Sequence, residues 1–278
     1  MTMRRGAWVM MATAFAVGAS AAEAKKRPTP SPAPSIVPTL SPPPLSSIER
    51  VARLQRQIEA FAGDPPGGKA LGIAVVDLQY ERHVALHGAA VFPLGDTATQ
   101  VIAFVAYRLA DQNRLKLDER VLVRRDSLRT TGPIAQLHPS GGITYPYWEL
   151  LRLMLSNDDP TARALVLRRI GGSAVVQGVL NRLGLRSLQL DAAHPIGTAD
   201  AVAALLKGIA ENRFLLLDTT TEYLGTLGRR SGAEQARIVT FPDGRRVVAV
   251  TLFDPATSSA VREGTLAGVA RDIDEAFR

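Results

Sequence analysis

The chain has 278 residues and no cysteine. That excludes disulfides, thiolate metal sites, iron–sulfur clusters, a cysteine nucleophile and a lipid-modified cysteine. Aromatic residues make up only 5%. Lysine is scarce too: of 33 basic residues only five, at positions 25, 26, 69, 116 and 207, are lysine. The formal charge of +7 is therefore carried by arginines spread along the chain. Scattered arginines with few rings to stack on bases do not make a nucleic-acid surface, so no nucleic-acid partner is expected. His83 and His87 have a four-residue spacing, but on a turn and a strand rather than a helix, so no metal site is expected. His138 reads as a solvated loop residue. Gly141-Gly142 and Gly171-Gly172 fit turns and helix caps, not a phosphate loop, and no G-x-S-x-G elbow occurs. No cofactor is implied. What remains is 46% hydrophobic and 21% charged, the balance of a globular protein able to bury a large core.

The first residues are not read as fold. Arg4 and Arg5 precede an apolar run from Ala7 to Ala19, too short to cross a bilayer, and Ala22-Glu23-Ala24 supplies a small-x-small cleavage site. Residues 1–24 read as a secretory signal peptide, which predicts an exported, periplasmic or extracellular protein with no stable transmembrane segment after cleavage. Residues 25–47 form a proline-rich linker. Eight prolines between Pro28 and Pro44 favour an extended polyproline II spacer.

A single domain is expected over residues 48–278. Ser46-x-x-Glu49 is a capping box, and Ile48, Val51, Leu54, Ile58 and Phe61 give a helix to about Ala62. Leu71 to Leu78 and Val84 to His87 read as strands. Helices are expected at Thr97–Gln112, Tyr147–Leu155, Thr161–Ile170, Ala174–Leu183 and Ala199–Glu211. Arg237–Phe241 and Arg245–Phe253 form a hairpin about Pro242-Asp243-Gly244, followed by a helix over Ala260–Phe277. Strands at both ends with helices between them predict an α+β fold, with one antiparallel sheet completed by both chain ends and a helical subdomain.

This order resembles the serine β-lactamase and penicillin-binding-protein superfamily, most nearly class A β-lactamases. Leu71–Asp77 is similar to the family's first sheet strand, and Phe92-Pro93-Leu94-Gly95 to the approach to its nucleophile helix. Leu115–Val121, Gly141–Thr144, Glu149–Leu155 and Leu165–Gly172 continue the likeness in order.

The resemblance implies an acyl-transfer site, and the departures lie there. The family's S-x-x-K supplies a nucleophilic serine and a proton-sharing lysine one turn later. Asp96 stands at the serine position and Thr99 at the lysine position, and no S-x-x-K occurs anywhere in the chain. The second motif, S-D-N, corresponds to Asp158-Asp159-Pro160, which keeps only the middle aspartate. The third, K-T-G, corresponds to Arg230-Ser231-Gly232, a conservative replacement that keeps a cation, a hydroxyl and a glycine for binding a carboxylate. The loop from Leu190 to Thr198 is short and holds no glutamate to activate a deacylating water.

The expectation is thus a catalytically inactive relative, with no confident catalytic residue. It would bind a peptidoglycan stem peptide through Arg230, Ser231 and Gly232, or an envelope protein, as a monomer. Asp96, Asp158 and Arg230 are expected to form an ion cluster in the old cleft. The alternative is a residual β-lactamase or other hydrolase working through Asp96 and Asp158.

Overall fold

A computed structural model describes residues 46–63, 71–190, 194–227 and 235–277. The signal segment, the linker up to residue 45, and Arg230, Ser231 and Gly232 lie outside the described residues.

Helix α1 (Ser47–Gly63) opens on the expected capping box. The Ser46 amide donates to Glu49 Oε2 at 2.8 Å and the Glu49 amide to Ser46 Oγ at 3.3 Å, so two otherwise orphaned donors are satisfied reciprocally. Strands β1 (Leu71–Asp77) and β2 (Arg82–Leu86) form a hairpin. Near the C-terminus, β7 (Ala236–Thr240) and β8 (Arg246–Phe253) form a second one. Its turn is fixed by Gly244 at φ 84°, whose amide reaches the Phe241 carbonyl at 2.9 Å. β1 pairs antiparallel with β8, giving the order β2-β1-β8-β7. Both chain ends therefore build one sheet, as the pattern predicts.

The two-residue period of the strands divides the core. Ile73 and Val75 of β1 and Val247 and Ala249 of β8 point to α1 and the closing helix α9 (Ser259–Phe277), against Leu54, Ile58 and Ile273. Ala74, Val76, Val248 and Val250 point the other way, into the larger helical core. With both faces covered, β1 and β8 carry nearly continuous apolar runs.

Seven helices of the described residues lie between the hairpins. Helix α2 (Thr97–Asp111) is buried at every position from Thr97 to Tyr107. The sequence marks a single apolar face at Ala103, Tyr107 and Ala110; the fold encloses the helix all round instead, with α4 (Tyr147–Asn157), α5 (Pro160–Arg169), α6 (Ser173–Arg182) and α8 (Leu217–Leu227) packed about it. Helix α7 (Ala199–Ala210) covers the inner face of the sheet. Helix α3 (Pro133–Leu137) is a short turn against α5.

Two small ribbons have no counterpart in the sequence reading. β3 (Val91–Pro93) pairs with β6 (Ile196–Thr198), and β4 (Arg120–Val123) with β5 (Ile143–Pro146). No helix among the described residues is long and apolar enough to cross a membrane.

Candidate functional site

The N-terminus of α2 is reached through Leu94 and Gly95. The Leu94 amide donates to the Pro195 carbonyl at 2.9 Å, and Gly95 turns the chain at φ 51°. Asp96 is the N-cap residue, but it has helical backbone angles, makes no capping hydrogen bond with its side chain, and is exposed. Three residues on, Thr99 is only 3% exposed. The two residues expected at the S-x-x-K positions are thus an exposed carboxylate and a buried hydroxyl.

The second motif forms the junction between α4 and α5. Asp158 ends α4 in the left-handed region, at φ 49°, and is exposed. Asp159 differs in every respect. It is fully buried and caps α5: Oδ1 accepts from the Ala162 amide and Oδ2 from the Ile134 amide, both at 2.8 Å. One carboxylate therefore fastens the helix start to the strap that precedes it. Pro160 occupies the first turn of α5, where a missing N–H costs nothing. Gly132 permits the close approach. At φ 98°, an added Cβ would lie 2.7 Å from Pro160 Cδ and 2.8 Å from Asp159 Oδ2. The Thr161 hydroxyl takes the Arg129 amide at 2.9 Å. Asp159, Thr161 and Gly132 thus tie residues 129–134 to α5.

Arg230, Ser231 and Gly232, expected to correspond to the third motif, lie outside the described residues, so the expected cluster of Asp96, Asp158 and Arg230 has only its two exposed carboxylates in view. The chain just beyond it is anchored to the same place. Gln100 of α2 donates through Nε2 to the Ala236 carbonyl at 3.1 Å.

Of the loop from Leu190 to Thr198, residues 191–193 lie outside the described residues. Gln189 and Ile196 exchange backbone hydrogen bonds at 2.8 and 3.1 Å. Gln177 holds its root: Oε1 accepts the Leu190 amide at 2.7 Å and Nε2 donates to the Leu188 carbonyl at 2.9 Å.

Between these parts lies a cavity of about 550 Å³. Ala98 and Ile102 of α2, Leu167 of α5, and Leu190 and Pro195 give it apolar walls. Thr130, Thr131 and Ser173 add hydroxyls, and Arg129 and Arg163 add two guanidinium groups. Ala98 lies between Asp96 and Thr99 in sequence, and Pro160 also lines the cavity. The sequence reading misses Arg129 and Arg163, because arginines spread this widely carry no positional signal of their own.

Comparison with known proteins decides the family. The model of the β-lactamase enzyme family matches residues 53–251. The chain belongs to the β-lactamase enzyme family. Among relatives of this family it is 25% identical to the extended-spectrum β-lactamase PER-1 of Pseudomonas aeruginosa, over 81% of this chain and 89% of that one. Solved structures agree on the fold. A β-lactamase from Chitinophaga pinensis superposes with a TM-score of 0.71 at 20% identity, covering 83% of this chain and 99% of that chain. The TLA-3 extended-spectrum β-lactamase gives 0.75 at 18%, covering 82% and 100%. PBP-A gives 0.70 at 22%, covering 81% and 95%. The serine β-lactamase and penicillin-binding-protein superfamily, and its α+β architecture, are thereby established for this chain. His83 Nε2 lies 3.0 Å from Asp200 Oδ1. Among the described residues no group of three or more acidic and histidine side chains is placed to hold a metal ion.

Proposed function

We propose that this β-lactamase-fold protein is an exported binding domain that does not form an acyl-enzyme. The observation carrying this reading is the N-terminus of α2. An exposed Asp96 and a buried Thr99 stand where the family's acyl transfer needs a serine and a lysine. A carboxylate is a poor nucleophile toward an amide, and a threonine hydroxyl cannot accept the proton that a lysine amine accepts. The remaining departures point the same way. Pro160 has no side-chain hydrogen bond to offer a substrate, Asp159 is committed to two backbone donors, and residues 190–195 contain no glutamate. Arg230, Ser231 and Gly232 keep the chemistry for holding a carboxylate, so a peptidoglycan stem peptide is the proposed ligand of the cleft. Residues 1–24 support export, and the proline-rich stretch after them serves as a spacer from the envelope.

A chromogenic cephalosporin tests the reading. Hydrolysis at the buffer rate is expected, whereas turnover abolished by Asp96→Ala would establish a hydrolase working through Asp96. A soluble muropeptide should raise the melting temperature of the protein but not of the Arg230→Gln variant.

A further inference from the structure

We infer that the 550 Å³ cavity beside α5 is a binding site for a small organic carboxylate with an apolar body, such as an acylated amino acid. The volume lies within the range of small-molecule sites. Its lining divides into the two parts that such a ligand needs. Ala98, Ile102 and Leu190 are buried and give a dry apolar floor. Arg129 and Arg163 are exposed enough to meet a ligand, and among the described residues no acidic side chain lines the cavity. Among the described residues neither arginine has an ion-pair partner, although Arg152, Arg169, Arg213 and Arg245 each have one. Their guanidinium forks suit a carboxylate.

The positions of the two arginines are also held. Arg163 belongs to α5, whose start is capped by the buried Asp159. The backbone of Arg129 is tied to the same helix through Thr161. One charged wall is thus built from a helix and a strap that the Asp159 carboxylate locks together. A preorganised wall loses little conformational entropy when a ligand binds. Leu190 and Pro195, next to the paired Gln189 and Ile196, also line the cavity. This inference does not depend on whether the cleft can form an acyl-enzyme.

Isothermal titration of the full chain with N-octanoylglycine, and with its neutral amide as control, tests it. The acid is expected to bind at least tenfold more tightly than the amide, with affinity falling as salt is raised. Arg129→Gln and Arg163→Gln should each weaken the acid about tenfold and leave the amide unchanged, as expected for losing one charge-assisted contact. Ala164→Trp, which fills the cavity from α5, should abolish binding of both. Melting temperatures within a few degrees of the parent keep these losses from being read as unfolding. Equal affinity for acid and amide, unchanged affinity in both arginine variants, or no heat with the acid would each overturn the proposal. Cephalosporin turnover would leave it standing, so the two readings fail separately.

Discussion

At the scale of single residues, the three acids of the degenerate motifs have separate fates. Asp159 is buried and accepts two backbone N–H groups, one of them from a distant strap. Asp159→Ala removes a helix cap and leaves two buried donors unpaired. It is expected to destabilise the protein by about 2–4 kcal/mol in urea unfolding. Asp96→Ala should change stability by no more than about 0.5 kcal/mol, because Asp96 is exposed and its side chain makes no cap. The sequence shows that the middle aspartate of the second motif is retained. It does not show why, since the Ile134 amide that uses it comes from 25 residues earlier. Two buried tyrosines give a pH signature. Burial pushes the Tyr107 and Tyr147 hydroxyls well above the ordinary tyrosine range, and the nearby Glu222 carboxylate adds to the effect at Tyr107. A raised folded-state pKa gives stability that is complete below the unfolded value of about 10 and is lost as pH rises past it. Thermal melts should therefore hold their midpoint up to about pH 10, then fall as the unfolded chain ionises and the folded chain does not.

At the scale of elements, what was legible is what had a period. The two hairpins of the sheet, α1, α2, α4 to α7 and α9 are long enough for apolar spacing to declare them, and their bounds agree to within a residue or two. β3 and β6 are three residues each, too short for alternation to be seen, and β3 ends in Pro93. α8 begins Leu-Asp-Thr-Thr-Thr, and a run of β-branched residues argues against a helix. Packing overrides it: Tyr223 is fully buried, edge-on to Tyr107 at 5.9 Å, and donates to the Gln100 carbonyl at 3.2 Å. Nothing in the sequence pattern singles out Gly132. In the fold it is the contact between the strap and α5, at a φ that side chains avoid. Gly132→Ala combines backbone strain with overlap against Pro160 and Asp159. It should cost about 2–4 kcal/mol in urea unfolding and, by shifting Arg129, weaken N-octanoylglycine as well. Loss of stability without loss of affinity would separate the strap from the cavity.

For the whole molecule, the chain has the β-lactamase fold, and on the proposed reading its acyl-transfer positions are replaced. The overall fold agrees with solved β-lactamases at about 20% identity. Stability needs the elements of the fold to pack, and packing tolerates extensive change of side chains that preserve volume and pattern. On the proposed reading, catalysis needs particular atoms at the start of α2, and Asp96 and Thr99 stand in their place. Fold and chemistry can therefore part, since function belongs to the site rather than to the fold. The most direct measurement is the intact mass of the full protein after prolonged incubation with excess benzylpenicillin. An unchanged mass is predicted, because no serine and lysine pair stands at the start of α2. A gain of one penicilloyl group would contradict the account.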